Sequence, residues 1–339
     1  MTIRERERHR RGRRVTISDV AKAVGVATST VSRALTQPGR VSEELRERVA
    51  TAAAELGYYP NNQARSLTSG RTLSMALLIP DVTNPYFFDI IRGTQAQAKA
   101  RGYRHILVDT EASREIEARA VAELGAAVDG VVLAGSRLTD EQIIVTSRQL
   151  PVVVVNREIE GIPSVVVDTS TGVAEALDYL VSLGHKRVAF LAGPASSWSN
   201  ARRWEALQVS ARHHGVECIR IGAASGSIQS GAAAADAALH HHVTAAIFFN
   251  DMLAIRALKR FAERGVRVPD DMSVVGCDDI FGADFCNPPL TTLTSPIDQV
   301  GRLATDMLLT RLVGLPLARE REKVAARLTI RQSTGPAPA

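Results

Sequence analysis

Cysteine is scarce in this chain of 339 residues, and its scarcity argues against the kinds of site that depend on it. The three cysteines are Cys218, Cys277 and Cys286, and none stands in a C-x-x-C spacing or in a Cys/His pairing. Disulfide bridges and structural zinc are therefore not expected. Residues 240–242 are three consecutive histidines, whose side chains point in different directions on a helix. We interpret them as a solvated helix end, and we expect no metal and no cofactor.

Long apolar stretches are also missing. No run approaches the ~18 residues that are needed to cross a bilayer. The N-terminus carries charge but has no hydrophobic core, so it does not resemble a secretory signal. We expect a cytoplasmic protein without a membrane partner.

The short motifs of common catalytic sites are absent as well. The chain contains no G-x-x-x-x-G-K-[ST] loop, no G-x-G-x-x-G after a strand and no G-x-S-x-G elbow. Nucleotide, dinucleotide and serine-hydrolase chemistry would therefore lack their usual phosphate cradle or nucleophile. We do not expect an enzyme.

Positive charge is present, and it is concentrated at one end of the chain. Residues 1–72 hold fourteen Lys/Arg against seven Asp/Glu, a net charge of +7, whereas the whole chain carries +5. The remainder is therefore slightly acidic, and only the N-terminal region is suited to face phosphates.

The first fourteen residues contain the run R-E-R-E-R-H-R-R-G-R-R, which has no apolar periodicity. We expect residues 1–14 to be a disordered basic arm. Such an arm adds non-specific attraction to DNA or simply keeps the protein soluble, and the sequence does not distinguish these roles.

Residues 16–36 predict two short helices joined by a tight turn at Gly25. Thr16 and Asp19 form a T-x-x-D capping box at the start of the first helix. The second helix carries short hydroxyl side chains and Arg33, which suit phosphates and base edges. This is the layout of a helix-turn-helix, whose second helix lies in the DNA major groove. The alternative is an ordinary pair of surface helices.

A third helix is predicted from Ser42 to Gly57, with two glutamates in its first turn. The segment Y-Y-P-N-N-Q-A-R-S-L-T-S-G follows at 58–70. Together with D-V-A-K-A-V-G-V, T-V-S-R-A-L and L-G-Y-Y-P-N, this order resembles the DNA-binding head and hinge of lactose/galactose-repressor-type (LacI-family) regulators.

The resemblance implies a DNA-binding head at 15–60 and a hinge helix or linker at 61–72. In such a hinge, an apolar wedge enters the minor groove and opens the central base step, and Leu67 is the matching residue. Thr28 and Ser29 match the base-reading positions. The full set of implied DNA contacts is Thr16, Thr28, Ser29, Thr30, Ser32, Arg33, Thr36, Arg40, Tyr58, Asn61, Ala64 and Leu67.

After Gly70, short apolar runs alternate with helical stretches, which predicts an α/β fold with parallel sheets. Predicted strands lie near residues 77, 106, 131, 153, 189, 247, 274 and 292. Because this is too many units for one ordinary sheet, we expect two lobes with a cleft between them. The resemblance likewise implies a periplasmic-binding-protein-like (type I) core over residues 73–339.

Polar and aromatic side chains follow several predicted strands, where open α/β sheets bind ligands. Carboxylate, amide and guanidinium groups hold hydroxyls while aromatic rings stack, which is the chemistry of a polyhydroxylated ligand such as a sugar. Individually, Asn84, Ser199 and Asn250 are also good helix N-caps. The predicted ligand-binding residues are Asn84, Tyr86, Phe87, Asn156, Arg157, Trp198, Asn250 and Asp278, and the resemblance implies Arg203 as a further member.

Three positions depart from the sugar-binding members of the family. Asn156 stands where an aspartate is frequent, Ala201 where an arginine is frequent, and Ser295 where a glutamine often closes the pocket. A ligand with fewer hydroxyls, a larger oligosaccharide, or no small effector therefore stays open.

The combined prediction is a homodimeric regulator, a repressor, that binds operator DNA under the control of a small effector, for which we expect a sugar. The alternative is a solute-binding or sugar-processing protein with a non-functional helical head. The C-terminus lacks a leucine heptad, which favours a dimer over a tetramer.

Overall fold

The computed structural model describes residues 15–36, 39–58, 71–222 and 228–338. The chain divides into two compact units between Thr72 and Leu73. The predicted arm at 1–14 and most of the predicted hinge lie outside the described residues, as do Asn61, Ala64 and Leu67.

The described residues of the first unit form three short helices around a small apolar core. They are α1 (Ile17–Val24), α2 (Thr28–Thr36) and α3 (Glu43–Leu56). One valine from each helix, Val20, Val31 and Val49, is fully buried where the helices meet. Each helix thus turns one apolar face inward, as an amphipathic surface helix must.

The helix ends of the first unit follow the predicted signals. The Asp19 carboxylate accepts hydrogen bonds from the backbone N and the Oγ1 of Thr16, at 2.9 and 2.7 Å. Gly25 ends α1 at φ 76°, a left-handed conformation that glycine adopts at little cost. Ser42 caps α3 by accepting from the backbone N of Leu45, and Gly57 ends that helix. The predicted three-helix order is confirmed.

The second unit alternates strands and helices. Its strands are β1 (Ser74–Ile79), β2 (Arg104–Asp109), β3 (Gly130–Ala134), β4 (Val152–Val155), β5 (Ser164–Asp168), β6 (Arg187–Leu191), β7 (Glu217–Ile221), β8 (Ala245–Phe248), β9 (Ser273–Val275), β10 (Thr292–Thr294), β11 (Arg321–Ala325) and β12 (Arg327–Thr329). Its helices are α4 (Tyr86–Ala100), α5 (Arg114–Leu124), α6 (Asp140–Ser147), α7 (Thr169–Ser182), α8 (Trp198–His214), α9 (Gly231–His240), α10 (Asp251–Glu263) and α11 (Ile297–Leu312).

Two parallel sheets divide this unit into two lobes. The six-stranded sheet has the order β11-β5-β4-β3-β1-β2, and the four-stranded sheet has the order β7-β6-β8-β9. We call the parts built on them the six-stranded lobe and the four-stranded lobe. The chain passes between the lobes three times, after β5, after β10 and after β11. The predicted two-lobed α/β fold is confirmed.

Some strands differ from the predictions. The L-T-T-L run forms β10, which pairs antiparallel with β12 outside both parallel sheets, because the chain passes between the lobes at both strands. The predictions missed β5, β7, β11 and β12. Of these, β7 and β11 are sheet edges with charged, largely exposed side chains, so they lack an apolar pattern.

Two helices of the six-stranded lobe pack backbone against backbone. A Cβ added at Gly93 of α4 would lie 2.2 Å from the carbonyl oxygen of Asp298 in α11. A Cβ at Gly301 of α11 would lie 2.5 Å from the carbonyl oxygen of Ile90. Neither contact is possible between real atoms, so both positions require glycine for this approach.

Gly93→Ala is therefore expected to lower the free energy of unfolding by about 3 kcal/mol, because α4 and α11 must separate to admit the methyl group. Urea unfolding followed by circular dichroism measures this loss. Gly125→Ala is the matched control, since its Cβ would meet nothing closer than 3.5 Å, and it should change stability by less than about 0.5 kcal/mol. Equal midpoints for the two variants would show that the helix contact is not tight.

Candidate functional site

The outer face of α2 carries three of the predicted DNA-contact residues. Thr28, Ser29 and Arg33 are exposed, whereas Val31 and Ala34 on the other face are buried in the core of the first unit. The helix therefore presents two hydroxyls and one guanidinium to solvent, in the arrangement that a recognition helix offers to a major groove.

The remaining described members of the predicted set lie around this face. Thr16 precedes α1 and Arg40 lies between α2 and α3, and both are exposed. Thr30 and Ser32 are partly buried within α2, and Tyr58 packs against the core of the unit. Thr36 is the last residue of α2.

A cavity of about 450 Å³ lies in the second unit, lined from both of its lobes. Seven of the nine predicted ligand-binding residues line it: Asn84, Tyr86, Phe87, Asn156, Arg203, Asn250 and Asp278. Because they follow different strands, only the fold brings them together, as the strand-end rule for α/β sheets requires.

The other two predicted ligand-binding residues do not line this cavity. Arg157 donates from Nε to Asp140 at 2.8 Å and from Nη1 to the carbonyl oxygen of Leu138 at 2.6 Å. Trp198 begins α8, where the Arg202 guanidinium lies 5.7 Å from the centre of its ring. Both side chains thus take part in contacts of the protein itself.

Asn156 fixes Tyr86 on one wall of the cavity. Its Nδ2 donates to the Tyr86 hydroxyl at 2.6 Å, and its Oδ1 accepts from the backbone N of Val167 at 3.1 Å. Burial raises the pKa of Tyr86, and the nearby Asp278 carboxylate raises it further. The phenol therefore stays protonated, and its O–H remains a donor on the cavity wall.

A buried ion pair lines the same cavity from the four-stranded lobe. Arg203 Nη2 lies 4.0 Å from Asp278 Oδ1, and the two side chains are 7% and 9% exposed. Arg203 also donates from Nε to Thr169 Oγ1 at 3.0 Å and from Nη1 to the carbonyl oxygen of Phe249. Burial raises the pKa of Asp278 well above its usual range, although Arg203 opposes the shift. The carboxylate is thus poorly solvated, and a ligand hydroxyl would supply a hydrogen bond that it lacks from water.

Asp251 holds the segment that carries Asp278, and its neighbour Asn250 caps α10. The Asn250 side chain caps α10 by accepting from the backbone N of Leu253 at 3.0 Å. Asp251 accepts from Thr292 Oγ1 at 2.6 Å and from the backbone N of Ile280 at 3.0 Å, while burial raises its pKa to about 6. The bonds of Asp251 thus tie the start of α10 to the segments after β9 and at β10. Of the three predicted caps, Asn250 serves as predicted, whereas Ser197, not Ser199, caps α8. Pro85, not Asn84, is the N-cap residue of α4, although the Asn84 Oδ1 accepts from the backbone N of Tyr86 at 3.1 Å.

Several lining residues were not predicted. The charged ones among them are Asp81, Glu111 and Arg137, which follow β1, β2 and β3. Their positions shortly after strands could have indicated that they line the cavity. Asp109, at the end of β2, has the same kind of position.

Strained backbone is concentrated at the cavity. Glu111, Ala112, Asn156 and Asp278 all line it and have φ values of 51°, 52°, 59° and 131°. Non-glycine residues rarely adopt such values, and they cluster where a site must be held in one shape.

Two kinds of feature are absent from the described residues. No helix among them is long and apolar enough to cross a membrane. No group of three or more His, Cys, Asp or Glu side chains in the described part could hold a metal ion.

Comparison with known families assigns both units. Residues 16–61 match the family described as bacterial regulatory proteins, lacI family. Residues 177–334 match the periplasmic binding protein-like domain. The first match falls on the first unit, and the second covers the four-stranded lobe together with α11 and β11 of the six-stranded lobe.

Similar proteins extend over nearly the whole chain. The HTH-type transcriptional repressor CytR of Escherichia coli K12 is 32% identical over 327 residues, which cover 94% of this chain and 96% of the repressor. The ribose operon repressor of Bacillus subtilis is 35% identical over 307 residues, which cover 89% of this chain and 93% of that protein.

A solved structure gives the same result. The Lac repressor dimer bound to operator and the anti-inducer ONPF superposes with a TM-score of 0.84 at 28% identity, covering 95% of this chain and all of that one. The chain therefore belongs to the lacI family of bacterial regulatory proteins, and it is a DNA-binding transcriptional regulator.

Proposed function

We propose that this regulator is a repressor whose affinity for operator DNA is changed by a carbohydrate bound in the cavity between its two lobes. The observation that carries the proposal is the joint lining of one cavity by the Tyr86–Asn156 pair and the Arg203–Asp278 pair. The cavity binds and releases its ligand unchanged. In a bacterium the operator, and hence the protein, lies in the cytoplasm.

The lining supports a carbohydrate ligand. It combines a phenol donor and a buried carboxylate acceptor with the rings of Phe87 and Phe249, which suits a molecule with many hydroxyls and an apolar ring face. Two similar proteins point to the same class. One is a ribose operon repressor, and the other is the transcriptional regulator CelR, solved with cellobiose, with a TM-score of 0.70 at 28% identity over 94% of this chain.

A ligand that contacts both lobes stabilises the lobe arrangement in which all its contacts form. Because three chain segments join the lobes, a change in their arrangement is transmitted through the whole second unit. The ligand then alters operator affinity by a coupling free energy, typically about 1–3 kcal/mol.

On the DNA side, we assign base contacts to Thr28 and Ser29 and a phosphate or base contact to Arg33. All three lie exposed on α2, and α2 is the helix that would enter the major groove. In a two-fold symmetric dimer, two such helices read a pseudo-palindromic site.

The four-stranded lobe offers a surface for that dimer. Phe281 and Phe285 are 81% and 64% exposed, and their rings pack edge to face at 5.1 Å. Two large aromatic side chains at such exposure favour contact with another protein surface. Because the Lac repressor in the similar structure is a dimer, we assign a second copy of this chain to this patch.

Arg33→Ala is expected to weaken binding to an operator recovered by in vitro selection from genomic DNA by about 10- to 100-fold, because one charge-assisted contact is lost. Fluorescence anisotropy at fixed salt measures this. Lys22→Ala is the control, since Lys22 is an exposed cation of α1 outside the predicted contact set. Equal losses in the two variants would mean that only net charge matters and that α2 does not read the site.

Asp278→Asn is expected to leave operator affinity within about twofold and to raise the carbohydrate concentration needed for a response at least about tenfold. Asparagine has the same shape as aspartate, so the substitution removes the charge without enlarging the side chain. D-ribose and a panel of mono- and disaccharides are the probes. Asp270→Asn, at an exposed carboxylate, should respond like the wild type. A wild type that ignores every sugar in the panel contradicts the carbohydrate proposal.

Phe281→Ser is expected to raise the dimer dissociation constant at least about tenfold, because a large apolar contact area is removed. Sedimentation velocity across a concentration series measures this constant. Val209→Ser removes an exposed apolar side chain of α8 instead, and it should leave the dimer unchanged. If Phe281→Ser stays dimeric at nanomolar concentration, the interface lies elsewhere.

A further inference from the structure

We propose that the cavity selects an uncharged carbohydrate over its phosphorylated form, and that Asp81 and Glu111 determine this selectivity. The selectivity rests on the proposed function, because it concerns the charge of the same effector. This selectivity depends on the charged groups of the cavity wall. Some of them are already neutralised by a partner within the protein, and others are not.

Arg203 is one of two guanidinium groups on the cavity wall, and guanidinium is a common partner of phosphate. Its Nε and Nη1 already donate to Thr169 and to the carbonyl oxygen of Phe249, and its Nη2 faces Asp278. The charge of Arg203 is therefore matched within the protein. An anionic ligand would have to displace these partners.

Arg137 is the other guanidinium, on the six-stranded lobe. The carboxylate of Glu117, which is buried, accepts from the backbone N of Arg137 at 2.7 Å and acts on the charge of its guanidinium. The positive charge of Arg137 is thus partly balanced from behind the wall. Its N–H donors suit a hydroxyl or ring oxygen as well as they suit an anion.

Three carboxylates on the same lobe, those of Asp81, Asp109 and Glu111, form no ion pair with any described residue. Thr83 donates to Asp81 Oδ1 from its backbone N at 2.8 Å and from Oγ1 at 2.6 Å. The backbone N atoms of Val82 and Glu111 donate to the two oxygens of Asp109, at 3.1 and 2.9 Å. These bonds hold the carboxylates of Asp81 and Asp109 in place without cancelling their charge. Within the described residues, the ion pairs found involve none of Asp81, Asp109 and Glu111.

The wall therefore carries an excess of negative charge. Four carboxylates, those of Asp81, Asp109, Glu111 and Asp278, line the cavity together with two guanidiniums. A cleft of one sign concentrates its field and repels ligands of the same sign. The hydroxyls of an uncharged sugar instead donate hydrogen bonds to these carboxylates.

Isothermal titration calorimetry of the full chain at low ionic strength tests this with two matched pairs, D-ribose with D-ribose 5-phosphate and D-glucose with D-glucose 6-phosphate. The uncharged member of a pair should bind at least about tenfold more tightly than its phosphate, and added salt should reduce this ratio. A phosphate ester that binds the wild type as tightly as its parent sugar overturns the proposal.

The double variant Asp81→Asn/Glu111→Gln removes two charges while asparagine Oδ1 can still accept from Thr83. It should reduce the affinity ratio at least about threefold. Glu123→Gln makes the same chemical change at an exposed position outside the cavity, and it should leave the ratio unchanged. A ratio that is the same in the double variant and in the wild type removes Asp81 and Glu111 from any role in selectivity.

Inorganic phosphate is the second probe, and it decides the question even if none of the four sugars binds. In a thermal-shift measurement it should stabilise the wild type no more than chloride at equal ionic strength. Glu111→Lys should gain a phosphate-specific increase in Tm. Stabilisation of the wild type by phosphate that disappears in Arg137→Gln would locate an anion in the cavity and overturn the proposal.

The measured outcomes distinguish a failure of the proposed function from a failure of the charge selectivity. If the proposed function is wrong, no carbohydrate changes operator binding. If only the charge selectivity is wrong, operator binding still responds to a carbohydrate, but the phosphorylated form is the one that acts.

Discussion

The parallel direction of the strands in both sheets is the constraint on which the second unit depends. Because parallel strands end at the same edge of a sheet, the loops after β1, β2, β3 and β4 gather at one edge of the six-stranded lobe. The loops after β6, β8 and β9 gather in the same way on the other lobe. Burial of the apolar strand residues stabilises this arrangement. The polar residues of the loops then face one another across a cavity.

That arrangement leaves ionisable groups where water is scarce. Asp251 and Asp278 are both buried, and burial raises the pKa of each carboxyl. Asp251 is compensated within the protein by Thr292 and the backbone N of Ile280. Asp278 has the Cys277 side chain as a hydrogen-bond partner and the Arg203 guanidinium 4.0 Å away, so a ligand hydroxyl can supply a further hydrogen bond. Of these two carboxylates in the four-stranded lobe, Asp251 thus holds the fold and Asp278 is left to bind.

The elements that depend on local chemistry are the ones that can be predicted from the sequence. The glycine at position 25 and the Ser42 cap fixed the helix ends of the first unit, and apolar runs located the buried strands. Prediction from the sequence was least successful where structure depends on distant pairing. Strand β11, R-E-K-V-A, is recognisable only by its parallel pairing with β5, which lies more than 150 residues earlier in the chain.

The same distinction applies to the cavity. Residues placed directly after strands, such as Asn156 and Asp278, could be predicted, and the structure brings them to the wall. Arg157 could not be excluded from sequence, because its partners Asp140 and Leu138 come from a separate loop and helix start. Asp81, Glu111 and Arg137 stand at strand ends too, but nothing local in the sequence separates them from ordinary surface charges.

The glycine contact between α4 and α11 has a consequence for motion. Tyr86 and Phe87 form the first turn of α4, so the cavity wall and the helix contact belong to one continuous rod. With carbonyl groups of each helix pressed against the other at Gly93 and Gly301, α4 has no room to slide or roll on its own. Any displacement of Tyr86 and Phe87 must then move α11 together with α4. A movement at the cavity wall is in this way passed on to a second helix that does not itself line the cavity.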